Sequence, residues 1–286
     1  MEKIWLVDDV MKLKLIATLF TSIALLAPIG VQAFSFSTCT TNICDISIAG
    51  GSYKVFEVTT TPGLLVPVTS DLANVKDILI NNMQGNVQLG TPSAPGVLTT
   101  MEVTFNGGAV ATLSNLLLAD WTNNSNALVH SYITAAGNSV GITLTAPQLL
   151  AATNYFLTHQ VAPGINVWQL VSDPSIATIN LVNGQIIVGQ DGILHPYNYL
   201  NTLFAGSGAI APPNAQASEA VKVTINGNSQ YVYSFSATPT GYATADGSYN
   251  GRYQVPEPAT LLMLGLGFIG LAYRHRHNKR DQVIMA

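Results

Sequence analysis

The chain has 286 residues, of which 9% are charged and 48% hydrophobic, and its formal net charge is −4 at pH 7. Residues 34–255 carry four basic residues, Lys54, Lys76, Lys222 and Arg252, against ten acidic ones, about −6 in all. Such a surface repels a phosphate backbone, and no Lys or Arg cluster occurs outside the two termini, so nucleic acid is excluded as a partner.

The N-terminus reads as an export signal. Met11 opens a second start with Lys12 and Lys14 as a basic region, Leu15 to Ile29 as an apolar core and Val31-Gln32-Ala33 as a small-residue cleavage site. Residues 1–33 are therefore the signal region, with cleavage between Ala33 and Phe34 by signal peptidase after passage through the Sec translocon. Glu2, Asp8 and Asp9 are out of place ahead of a signal peptide, which makes Met11 the expected true start. Cys39 and Cys44 are the only cysteines. In an oxidising compartment they are expected to pair, pinning the first strand with about 2 kcal/mol at most because the loop they close is short.

Period-two alternation of β-forming residues then dominates. Ser52 to Thr59 is a predicted strand that ends in the turn Thr60-Thr61-Pro62-Gly63. Asn106-Gly107, Asn183-Gly184 and Asn226-Gly227 each follow a β-type run, and Asn-Gly tolerates the positive φ that a type I′ hairpin needs. The first and third of these runs, Glu102 to Gly107 and Lys222 to Gly227, are alike in sequence, which convergent hairpin chemistry explains better than duplication. Helices are few. Thr145-Ala146-Pro147-Gln148 supplies an N-cap, an early proline and a capping-box Gln ahead of Leu149 to His159. Ser125 to Ala136 and Tyr197 to Phe204 are weaker helical stretches, Ala205 to Ser218 reads as a long loop, and residues 236–255 as a last strand running into a linker. The expected fold is mainly all-β: an antiparallel β-sandwich over residues 34–255 with a few short helices, a signal helix before it and a hydrophobic helix after it.

The C-terminus has three parts. Val255-Pro256-Glu257-Pro258 is held extended by its prolines. An apolar run of fifteen residues follows from Ala259 to Tyr273, short of the roughly 20 that span a bilayer comfortably. Arg274, Arg276, Lys279 and Arg280 then form a basic stop that the positive-inside rule keeps in the cytoplasm, with residues 281–286 beyond it. All three parts, in this order, resemble the PEP-CTERM sorting domain of exported proteins of Gram-negative bacteria. The resemblance covers about a tenth of the chain and implies recognition by an exosortase, a membrane-embedded cysteine transpeptidase, with transient membrane anchoring through residues 256–280. Release or attachment at the cell surface or in the extracellular matrix would follow. It also implies a host that makes extracellular polysaccharide. An ordinary single-pass anchor is the alternative, although it would need neither the Pro-Glu-Pro motif nor so short a span.

Residues suited to chemistry are sparse. His130-Ser131 with Asp120 imitates a hydrolase triad, yet no nucleophile elbow surrounds Ser131. Asp173, Asp191 and Glu219 are the carboxylates a glycosidase pair would draw on, and Asp173-Pro174 and Asp191-Gly192 read first as turns. Asp246, Ser248 and Asn250 fall at positions 1, 3 and 5 of a calcium loop, with Gly251 at 6 and Glu257 at 12. No helix pattern flanks them, so a Gly- and Asn-rich turn is preferred, and no cofactor or metal is expected. Tyr197, Tyr199, Tyr242 and Tyr249 lie near Gly, Asn and Pro and are the candidate sugar-stacking rings. Tyr231, Tyr233 and Phe235 share one face of a strand, where same-face aromatics belong to a core. The leading expectation is a non-enzymatic, exosortase-sorted protein of the extracellular or biofilm matrix. An exopolysaccharide-binding module comes second and a secreted hydrolase third.

Overall fold

The computed structural model describes residue 39 and residues 41–58, 65–183, 185–191, 196–204, 210–211, 216–235, 238–239 and 250–254. The signal region, the sorting motif and the basic stop lie outside them, as do Tyr242, Tyr249, Asp246, Ser248 and His195.

Two antiparallel sheets dominate the described residues, as expected of a mainly β protein. The five-stranded sheet has the order β1 (Ile43–Gly50), β5 (Thr99–Phe105), β6 (Val110–Ser114), β11 (Val221–Ile225) and β12 (Asn228–Val232). The seven-stranded sheet runs β13 (Thr238–Pro239), β14 (Asn250–Gln254), β10 (Gln185–Asp191), β9 (Ser175–Val182), β4 (Gly85–Leu89), β2 (Tyr53–Val58) and β3 (Leu65–Val68). A small ribbon pairs β7 (Gln160–Ala162) with β8 (Ile165–Asn166). Cys39 and Cys44 form the expected disulfide at the start of β1.

The chain changes sheet between β1 and β2, and glycine makes this possible. Gly50 has φ +86°, and a Cβ there would stand 2.2 Å from the Leu98 carbonyl oxygen. The neighbouring Gly51 N–H donates to that same oxygen at 2.9 Å. No side chain fits so close an approach.

One core lies between the large sheets. Val55, Val87 and Val188 from one sheet and Met101, Val103, Leu113 and Val223 from the other are fully buried in a single cluster. Helix α1 (Leu72–Leu79) closes it with Val75, Ile78 and Leu79. Each such side chain contributes roughly 1.5–3 kcal/mol when removed from water.

The hairpins divide into two kinds. Asn226 (φ +50°) and Gly227 (φ +78°) alone separate Ile225 from its partner Asn228, the two-residue turn that Asn-Gly predicts. Asn183 (φ +53°) stands in the same relation between the paired residues Val182 and Gln185. At Asn106-Gly107 the expectation is corrected: positive φ falls on Gly107 and Gly108, and the loop runs from Phe105 to Val110. The Phe105 N–H donates to the Ala109 carbonyl at 2.8 Å, and Gly107 and Gly108 both take left-handed conformations within this longer loop.

A second core gathers the helices. Helix α2 (Leu118–Ser139) is broken at Asn123–Asn126, and beyond the break it buries Leu128, Val129, Tyr132, Ile133 and Ala136 along one stripe. Its Gly137 permits contact with the next loop, since a Cβ would lie 2.7 Å from the Ile142 carbonyl oxygen. Helix α3 (Ala146–Thr158) begins at Thr145, whose N–H and hydroxyl both donate to the Gln148 side-chain oxygen, at 2.9 and 2.8 Å. Its Ala152 and Phe156 are buried. Helix α4 (Pro196–Phe204) contributes Tyr199, Leu200, Leu203 and Phe204 to the same core.

Candidate functional site

Helix α2 and the segment that prolongs β12 enclose the site. The two pieces are tied together from both sides. Tyr132, buried in α2, donates its hydroxyl to the Ser218 carbonyl at 3.0 Å. Ser218 in turn accepts from the Ser234 N–H on its hydroxyl at 2.8 Å, and its own N–H donates to the Ser234 carbonyl at 3.1 Å. Below them the rings of Trp121, Tyr132, Phe156 and Phe235 meet edge to face or tilted, with centroids 4.9–5.8 Å apart. This arrangement favours the positive ring edge against the negative ring face. The rigid aromatic floor sets the position of everything above it.

Two open depressions lie along this seam. One, of about 320 Å³, is lined by Asp120, Asn123, Asn124, Ser131, Tyr231 and Tyr233, together with Ala127 and Leu128. The other, of about 470 Å³, is lined by Ala135, Asn138, Ser139, Tyr233, Ser234 and Phe235. Both volumes fall within the usual range for ligand sites, about 300–1,000 Å³. Tyr233 belongs to both, so the two depressions meet at this residue. Its ring also packs edge to face on Tyr132 at 5.0 Å. Residues 127, 131, 135 and 138 recur at three- and four-residue steps, which puts them on one helical face.

Asp120 is the one charged residue lining either depression among the described residues, and its charge is spent locally. Its Oδ1 accepts from Lys222 Nζ and from the Tyr231 hydroxyl, both at 2.9 Å. Its Oδ2 accepts from the Leu117 N–H at 2.9 Å, closing the first turn of α2. Burial, with the hydrogen bond to Asp120 second, pushes the Tyr231 phenol up to about 12, and burial raises Tyr233 as well. Both rings therefore stay neutral hydroxyl donors at ordinary pH. Among the described residues the seam is aromatic, amide- and hydroxyl-bearing, and electrically neutral.

The backbone beside it is strained. Asn124, Ser125 and Asn126 have φ of +50°, +55° and +66°, a left-handed turn built without glycine. Each L-residue there costs roughly 1–2 kcal/mol, least for Asn. The break carries Asn123 and Asn124 onto the rim of the first depression.

The residues singled out by sequence are dispersed. Ser131 and Asp120 line one depression, but both Asp120 oxygens already have partners, and His130 is one residue from Ser131 on a helix, about 100° away around the axis. Asp173 is buried, accepting from Gln88 Nε2 at 2.6 Å, and Glu219 accepts from the Ser175 N–H at 2.7 Å. Glu219 thereby holds the chain just after Pro174, while Asp173 keeps its other oxygen, Oδ1, buried without a hydrogen-bond partner among the described residues. Tyr199 is 5% exposed inside the helical core, so its ring packs on protein. Tyr197 lies in α4, and Asn250 and Gly251 begin β14 with Asn250 opposite Asp191, while Asp246, Ser248, Glu257, Tyr242 and Tyr249 are outside the described residues. No group of three or more His, Cys, Asp or Glu residues able to hold a metal occurs among the described residues. Tyr231 and Tyr233, expected in the core, pack against it but are only half-buried and line the seam, and Phe235 is core and lines the second depression as well.

Beyond Gln254, the last residue of β14, the tail identifies itself. Residues 254–276 match the PEP-CTERM protein-sorting motif. The motif marks the chain as an exported protein sorted to the cell surface by an exosortase. No curated protein and no solved structure matches the chain.

Proposed function

We propose that this protein, sorted through its PEP-CTERM segment, is a non-enzymatic component of the extracellular or biofilm matrix. The observation that carries the reading is the sorting motif at residues 254–276, joined directly to the last strand of the sandwich. Sec translocon and signal peptidase act first, removing the chain up to Ala33. The exosortase then acts at Val255-Pro256-Glu257-Pro258 while Ala259 to Tyr273 sits transiently in the membrane and Arg274, Arg276, Lys279 and Arg280 hold the far end inside. The folded domain that remains is held by a disulfide, suited to an oxidising exterior.

The intact mass of the protein from matrix and membrane fractions tests this reading. A matrix species that begins at Phe34 and ends between Val255 and Pro258 supports it. A single membrane species that retains Arg274 to Arg280 overturns it in favour of a permanent anchor.

A second reading, an exopolysaccharide-binding module, is favoured by the neutral aromatic seam beside Tyr231 and Tyr233. It is compatible with the first, since a matrix protein gains retention by holding the polymer around it.

A further inference from the structure

We infer that the seam between helix α2 and the Tyr231–Phe235 segment binds an uncharged polysaccharide strand that crosses the ring of Tyr233. The inference rests on the second reading above and gives it a site and a ligand class.

Charge decides the class. Asp120 is the only charged lining residue described, and Lys222 compensates it at 2.9 Å. Among the described residues an anionic polymer finds no free cation here, and a cationic one finds no free carboxylate. A neutral sugar chain asks for something else: flat apolar surface for its C–H faces and neutral donors and acceptors for its hydroxyls. Tyr233 offers the surface, while Asn124, Ser131, Asn138 and Ser139, all exposed, offer the polar groups.

Shape decides that the ligand is a chain. The two depressions, about 320 and 470 Å³, share Tyr233 rather than being separate pits. From Ala127 to Asn138 the helical wall runs about 16 Å at the α-helical rise. That length accommodates several sugar rings in a row and is more than one ring can fill. Rigidity favours binding too, because Tyr233 is braced by Tyr132 at 5.0 Å and its strand is fastened to Ser218, so little conformational freedom is lost when a ligand arrives.

The test uses the full chain purified in a mild detergent, so that it does not depend on sorting. The probes are hexamers of β-1,4-glucan, β-1,3-glucan, α-mannan and β-galactan, set against alginate and hyaluronan oligomers of equal length. Binding is expected for at least one neutral hexamer, with affinity changing less than about twofold between low and high salt because no ion pair forms. Tyr233→Ala is expected to weaken it at least tenfold, and Tyr233→Phe to keep most of it, since stacking needs the ring and not the hydroxyl. Tyr155→Ala, on helix α3 and in the lining of neither depression, serves as control and should leave affinity unchanged. Binding of the anionic oligomers alone, binding of none of the probes, or unaltered affinity in a folded Tyr233→Ala protein each overturns the inference. Extracellular recovery of Tyr233→Ala at the normal level separates this result from a failure of sorting.

Discussion

Lys222 Nζ lies 2.9 Å from Asp120 Oδ1 and joins strand β11 to the first turn of helix α2 across 102 residues of sequence. The Lys222 side chain is 30% exposed and that of Asp120 9%, so the acid is the dependent member of the pair. The ammonium also sits 5.9 Å from the centroid of the Tyr231 ring. This contact fastens the helical layer to the five-stranded sheet, one strand in from its edge.

Asp120→Ala removes the acceptor for Lys222, for Tyr231 and for the Leu117 N–H at once. A donor left without its acceptor costs about 1–3 kcal/mol, so Asp120→Ala, which strands three of them, should cost about 3 kcal/mol, and Lys222→Ala should cost less because Asp120 keeps its other two donors. Urea titration of both variants checks the order, and equal losses would contradict the asymmetry.

Trp121 is fully buried, donates its indole N–H to the Ser172 hydroxyl at 2.8 Å and touches Tyr132 and Phe156. Trp121→Ala should cost about 3–5 kcal/mol through the cavity it leaves. Loss of the near-ultraviolet circular dichroism of the aromatic cluster would accompany it.

Burial pushes the Asp173 carboxyl up from 3.8 to about 7, and the Gln88 hydrogen bond only partly opposes this. Between about pH 4 and pH 7 the folded protein keeps a proton that the unfolded chain gives up, so stability falls as pH rises through that window. The full penalty above pH 7 is roughly 4 kcal/mol. Asp173→Asn, still able to accept from Gln88, should match the wild type near pH 4 and exceed it near pH 8. Melting temperatures measured across that range decide the matter, and parallel curves for the two proteins would refute the burial argument.

Ser125 occupies the left-handed turn at φ +55° and is exposed. Ser125→Gly should stabilise the protein by about 0.5–1 kcal/mol, the relief of backbone strain exceeding the added freedom of the unfolded chain. A destabilised variant would mean that the serine side chain holds the turn.

Some of this architecture was legible without coordinates. Thr145, Pro147 and Gln148 announce helix α3 because a cap acts over four residues. Helix α1 went unread although Asp71 caps it by accepting from the Asn74 N–H at 2.9 Å. Eight residues give too little period to stand out from the strands around them. Tyr197 to Phe204 reads as a short helix, but so short a stretch does not tell which face turns inward, and Tyr199 is on the buried one. Tyr231 and Tyr233 were visible as a same-face pair, but their exposure depends on how closely α2 approaches.

The sequence by itself determined what is read locally or by another enzyme: the sorting motif and the turns at Asn183 and Asn226. Each depends on a few neighbouring residues, and an extended motif is recognised without a fold. Tertiary structure alone decided that β6 lies beside β11, that Asp120 meets Lys222, and that a helix face and a strand edge leave a neutral seam between them. Those relations join residues about a hundred positions apart, and only packing of the two cores brings them together.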